Sequence, residues 1–108
     1  MIVVYSRIDT FIEFVDQHID QPVPTAEAIA QAILVSRSTL FRMVEKELGM
    51  SPFQYIRQEK LNKAKSLFEA DTFDNIREMT YAVGYSRPDY FASIFMEAFG
   101  IDLKEAFK

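Results

Sequence analysis

Apolar residues recur at spacings of three and four along most of the chain, and strict apolar–polar alternation is almost absent, so the sequence predicts an all-α fold. Ile8, Phe11, Ile12, Val15 and Ile19 form the stripe of a first helix over about residues 6–18, with Asp9, Glu13, Asp16 and Gln17 facing water; Pro22 and Pro24 end it. Thr25 is the candidate N-cap of a short second helix whose Ala26, Ile29, Ala30 and Ile33 face inward. After a tight Leu34-Val35 connection, Ser36 is a second candidate cap. The helix from Arg37 to Leu48 buries Leu40, Met43, Val44 and Leu48 and stops at Gly49. Ser51-Pro52, a cap followed by proline in the first turn, is the strongest helix start in the chain. The helix it opens runs to Glu69 on an inward stripe of Tyr55, Ile56, Leu61, Ala64, Leu67 and Phe68. Asp71-Thr72-Phe73 breaks it. Asp74 is read as the cap of a helix over 75–81, Gly84 as a turn, and Ser86 as the cap of a helix that has Pro88 in its first turn and ends at Gly100. A short helix over 102–107 is the seventh. Ile2, Val3, Val4 and Tyr5 read as a strand or linker stub with no signal-peptide pattern.

The two halves of this pattern repeat. At an offset of 50, Ile29, Ala32, Ile33, Val35 and Ser36 fall on Met79, Ala82, Val83, Tyr85 and Ser86. With one residue inserted, Leu40, Met43, Val44, Leu48, Gly49 and Met50 fall on Phe91, Ile94, Phe95, Phe99, Gly100 and Ile101. Short helix, tight turn, longer helix and glycine stop make the outline of a helix-turn-helix, written twice. The expected organisation is therefore a first helix-turn-helix unit over residues 1–50, a linker helix over 51–70 and a second unit over 71–108. At about 1.5 Å per residue the linker helix spans roughly 27 Å, against about 34 Å between successive turns of a major groove. It is long enough to act as a strut between two DNA-reading units, and it can equally serve as core.

Composition narrows the chemistry. Hydrophobic residues make up 49% of 108 residues, which excludes disorder, and no apolar run reaches membrane-spanning length. With no cysteine, one histidine (His18) and three glycines, there is little material for a thiolate metal site, a catalytic triad or a phosphate-binding loop. No enzyme activity, cofactor, metal or membrane partner is expected. Asp9, Glu13 and Asp16 form a solvated acidic face. The net charge of −4 argues weakly against nucleic-acid binding by the chain as a whole.

The residue pattern resembles the DNA-binding domain of the AraC/XylS family of bacterial transcription regulators. In the first half it is carried by Ser36, Leu40, Arg42 and Met43, then Glu47-Leu48-Gly49-Met50-Ser51-Pro52, Tyr55-Ile56-Arg57, Leu61 and Ala64. In the second half it is carried by Ala82, Gly84-Tyr85-Ser86, Tyr90-Phe91, Phe95 and Phe99-Gly100. The resemblance covers nearly the whole chain. It implies seven helices, with two helix-turn-helix subdomains bridged by a long central helix that places two recognition helices in adjacent major grooves. It also implies double-stranded promoter DNA and RNA polymerase as partners, a cytoplasmic activator or repressor, and an effector or dimerisation domain on a longer parent chain.

On the first long helix the face opposite the core is Arg37, Ser38, Phe41, Arg42, Glu45 and Lys46. Arg37 and Arg42 suit guanine O6 and N7, Ser38 suits a base or phosphate, and Phe41 suits a thymine methyl unless it tucks under a neighbouring helix. The second long helix exposes Arg87, Asp89, Tyr90, Ser93, Met96 and Glu97, next to Ser86. Members of the resembled family usually carry basic residues at the positions of Glu45, Ser93, Met96 and Glu97, and glycine at that of Leu34. Arg77 and Arg87 against Asp74, Glu78, Asp89 and Glu97 leave residues 74–99 at −2, whereas residues 25–49 balance at zero. The first unit is therefore expected to carry most of the grip and the reading, through Arg37, Ser38, Arg42 and Lys46, with Ser36 and Phe41 as further candidate contacts. Ser86, Arg87, Asp89, Tyr90 and Ser93 complete the candidate contacts, and Arg57, Lys60 and Lys63 are candidate phosphate contacts on the linker helix. A competing reading keeps the fold but gives up DNA for protein contacts.

Overall fold

A computed structural model describes residues 6–108, all of whose regular structure is helical. The stub at Ile2–Tyr5 lies outside the described residues. The helices are α1 (Arg7–Gln17), α2 (Ala26–Ala32), α3 (Arg37–Leu48), α4 (Pro52–Glu69), α5 (Ile76–Ala82), α6 (Pro88–Phe99) and α7 (Leu103–Ala106). The chain divides into two compact units: one takes in the chain through His18 together with Val23–Glu59, the other Ile19–Pro22 and Lys60–Lys108. Each unit thus takes one end of α4.

Local chemistry starts most of these helices. Ser6 and Asp9 form a reciprocal capping box on α1. Thr25 and Ser36 accept from the N–H groups of Ala28 and Thr39 at 3.1 Å each. At α4 the Ser51 hydroxyl accepts from the Gln54 N–H at 3.1 Å while the Gln54 side chain accepts from the Ser51 N–H at 2.8 Å.

Two expected caps move by one residue. Asn75, not Asp74, caps α5, its side chain accepting from the Glu78 N–H at 2.8 Å; the Glu78 carboxylate returns the contact to the Asp74 N–H. Arg87, not Ser86, is the N-cap of α6, and its side chain makes no cap hydrogen bond. The cause is Pro88. A residue before proline is pushed into extended backbone, and Arg87 has φ −118° and ψ 101°. Pro88 at the first helical position also lacks an N–H that needs a partner. The residue inserted in the second repeat therefore sits between Ser86 and its helix.

In the first unit, α1 and α2 both pack on α3. Phe11, Ile29, Leu40, Val44 and Ile56 are buried at the centre. Tyr55, expected to be buried, is half-buried with its ring 5.5 Å from Phe11. Burial and the neighbouring Glu59 carboxylate push its hydroxyl up to about 12. Met43 and Leu48 are likewise half-buried. In the second unit, α5 and α7 pack on α6 around Leu61, Ala64, Met79, Val83, Phe91, Phe95 and Leu103. Leu67, also expected inside, and Phe99 lie at the margin of that core.

The turns inside the two repeats have the same hydrogen bonds. The Val35 N–H donates to Ala30 O at 3.0 Å and the Tyr85 N–H to Thr80 O at 3.1 Å, fifty residues on. Between them, Leu34 and Gly84 both have left-handed backbone, φ 61° and 81°. Leu34 therefore adopts the conformation for which glycine is suited, and the residue is 91% exposed.

Candidate nucleic-acid interface

Amphipathic α3 turns Leu40 and Val44 into the first unit's core and leaves Arg37, Ser38, Arg42, Glu45 and Lys46 exposed. Ser36 is occupied as the cap: its hydroxyl bonds the Thr39 N–H and lies 2.9 Å from the Thr39 hydroxyl, with the Ser38 hydroxyl at 3.4 Å. Phe41 is half-buried, its ring edge-on to Phe53 of α4 at 6.2 Å, so it is partly tucked as the alternative reading had it. The guanidinium of Arg37 lies 5.5 Å from the Phe41 ring centroid, with its Nε 3.6 Å from a carboxylate oxygen of Glu27 on α2. Arg42 and Lys46 are exposed beyond it on the same helix.

The corresponding face of α6 is exposed as expected at Asp89, Tyr90, Ser93, Met96 and Glu97. Its polar groups are largely engaged locally. The Ser93 hydroxyl donates to Tyr90 O at 2.8 Å, Asp89 lies 3.9 Å from Lys104, and the Tyr90 ring packs against Tyr85 at 6.2 Å. Ser86 and Arg87 are exposed at the start of the helix.

Lys60 does not face solvent. It is 1% exposed and its ammonium donates to the carbonyl oxygens of Ile19 at 2.8 Å, Val83 at 2.8 Å and Gln21. A phosphate cannot reach it. The expectation of a phosphate contact fails because Lys60 lies on the inward stripe, one helical step of four from both Ile56 and Ala64. That spacing was present in the sequence as a signal. Arg57 is half-buried, and Lys63 is exposed. The pairing of Glu27 with Arg37 had no counterpart in the sequence pattern.

Among the described residues no His, Asp and Glu side chains gather into a group able to hold a metal ion. No described helix is long and apolar enough to cross a membrane.

Two helix-turn-helix motifs, each offering the exposed face of its second helix, define a DNA-binding module of the transcription-regulator type. Residues 29–108 match the helix-turn-helix domain family. The chain belongs to this family and is a DNA-binding domain of the AraC/XylS type. It is 26% identical over 100 residues to the HTH-type transcriptional activator RhaS of Escherichia fergusonii, covering 93% of this chain and 35% of that protein. It is 34% identical over 79 residues to the xylose operon regulatory protein of Escherichia coli, covering 73% of this chain and 20% of that one. The C-terminal domain of AraT, a response regulator from Geobacillus stearothermophilus, superposes with a TM-score of 0.85 at 26% identity, covering 95% of this chain and 84% of that one. The chain spans about a third or less of the length of the curated relatives it matches.

Proposed function

We propose that this domain reads promoter DNA chiefly through α3, with Arg37 and Arg42 on base edges, Ser38 and Lys46 on bases or phosphates nearby, and Ser36 holding the helix start that presents them. The observation that carries this is the exposed face of α3, which holds three cations, set against a face of α6 that holds none beyond Arg87 at its start. Phosphate neutralisation supplies most non-specific affinity, so the richer face grips harder. Ser86, Arg87, Asp89, Tyr90 and Ser93 are the contacts of α6, entering an adjacent major groove with a weaker hold. RNA polymerase as a protein partner, an effector or dimerisation domain on a longer parent chain, activation as the output and residence in the cytoplasm complete the reading; similarity to regulators of this family supports them.

The test is a binding titration at fixed salt on a duplex selected by the domain from random sequence. Arg42→Ala should cost about 1–3 kcal/mol of specific binding and relax the preference at one base pair. Unchanged affinity and preference would remove Arg42 from the interface. Footprinting of the same complex should show two protected segments about one helical turn apart.

A further inference from the structure

Arg37 has a neighbour on two sides. Its Nε edge faces the Glu27 carboxylate at 3.6 Å, and its guanidinium carbon lies 5.5 Å from the Phe41 ring centroid. The Phe41 ring is in turn braced edge-on by Phe53 of α4, at 6.2 Å and 61°. A guanidinium has five N–H donors, one on Nε and four on the terminal nitrogens. With a carboxylate at the Nε edge and an aromatic ring against the side chain, the terminal fork is left for another acceptor. That fork matches the O6 and N7 pair of guanine.

The ion pair itself adds little to stability, because its two side chains are 66% and 73% exposed and such pairs are screened by solvent. Glu27 also stands in the first turn of α2, where the positive end of the helix favours a carboxylate. An anion on α2 thus sits beside a cation on α3.

We infer that Glu27 is a positioning residue for base recognition: it holds the Nε edge of Arg37 so that the terminal nitrogens face a guanine in the major groove. This rests on the reading that Arg37 contacts DNA. Glu27 then has two opposed effects on binding. Its charge repels every phosphate alike, weakening all duplexes, while its hold on Arg37 favours one base pair. Removing the charge should tighten non-specific binding and blur specific binding. A carboxylate that merely repelled DNA would do only the first.

The experiment measures affinity for a duplex selected from random sequence, for its single-base-pair variants and for a scrambled duplex, all at one salt concentration. Arg37→Ala identifies the base pair that depends on Arg37. Glu27→Gln should lower the preference at that same pair by about two- to fivefold and tighten binding to the scrambled duplex. Glu47→Gln removes one negative charge from an exposed position of α3 outside its reading face and serves as the electrostatic control, tightening both duplexes with the preference unchanged. In the Arg37→Ala background, Glu27→Gln should behave like Glu47→Gln, because the effect on preference passes through Arg37. Glu27→Gln should melt cooperatively within a few degrees of the parent, the small loss expected from a first-turn carboxylate, so a changed preference in the folded domain reports orientation.

If Arg37→Ala abolishes a preference and Glu27→Gln leaves it intact, the positioning role is overturned while Arg37 remains a DNA contact. If Arg37→Ala changes no preference, the contact itself is overturned and the positioning role with it.

Discussion

The ammonium of Lys60 donates to the carbonyl oxygen of Val83 at 2.8 Å, although the two residues stand 23 positions apart and the lysine lies inside the second unit. The same nitrogen holds the Ile19 and Gln21 carbonyls. One charge thus ties the 19–22 segment, α4 and the turn between α5 and α6 together. Val83 is the residue before the Gly84 turn, so this buried lysine holds the turn that leads toward α6.

Lys60 gives the domain a signed pH dependence. Burial lowers its pKa from 10.5 to about 8, opposed by the Asp20 carboxylate. The unfolded chain keeps that proton up to about pH 10.5, so between pH 8 and 10.5 the unfolded state binds more protons and the stability attributable to Lys60 rises with pH. Below pH 8 both states are protonated and the contribution is flat. Lys60→Met removes this titration and leaves three carbonyls short of a donor, at a cost of about 1–3 kcal/mol near neutrality. The gap in urea midpoint between parent and variant should widen from about pH 7.5 to 9.5. A narrowing gap would mean that the carbonyls retain the proton more firmly than burial expels it.

Gly84 should tolerate alanine far less well than Gly100. Both have left-handed backbone, which costs an alanine about 1 kcal/mol. At Gly100 an added Cβ meets nothing within 4 Å, whereas at Gly84 it would lie 2.1 Å from the Gln21 carbonyl oxygen. Denaturant titration should give roughly 1 kcal/mol for Gly100→Ala and for Gly49→Ala, the intrinsic cost alone, and a clearly larger loss for Gly84→Ala. Equal losses at positions 84 and 100 would show that the 19–22 segment yields freely.

Leu34 is a position where the natural residue is not the best one for stability. Its left-handed φ of 61° carries a penalty of about 1–2 kcal/mol for a non-glycine residue, and a residue 91% exposed recovers little by burial. Leu34→Gly should stabilise the domain by about 0.5–1 kcal/mol after the greater freedom of glycine in the unfolded chain is counted. A lower melting temperature for the variant would show that the leucine makes a stabilising contact.

The imbalance between α3 and α6 is open to repair. Ser93 and Met96 are exposed on α6. Ser93→Arg with Met96→Lys should tighten duplex binding and steepen the slope of log affinity against log salt by about one to two units, at about 0.9 per phosphate neutralised. Identical slopes for parent and double variant would mean that this face does not approach DNA, and would favour a protein-contact role for the second unit.

Much of this domain was legible in its residues because the signals are local. Ser6, Thr25, Ser36 and Ser51 each bond a backbone N–H three residues on, and Gly49 and Gly100 end α3 and α6 with left-handed backbone. Spacing alone placed Leu40, Val44, Phe91 and Phe95 inside and Arg42 outside, because helical periodicity sorts side chains by their preference for water. The shifted caps show where local signals compete: Asp74 and Asn75 are both good acceptors, and Pro88 overrules Ser86 through backbone sterics. Tertiary structure decided what depends on distant chain segments. The spacing of Lys60 from Ile56 and Ala64 signalled an inward position, but the three carbonyls that make burial of its charge tolerable come from up to 41 residues away, and Glu27 meets Arg37 only because α2 packs on α3. A pattern of polar and apolar positions records the cost of burying each side chain by itself. It does not record where backbone acceptors gather to offset that cost.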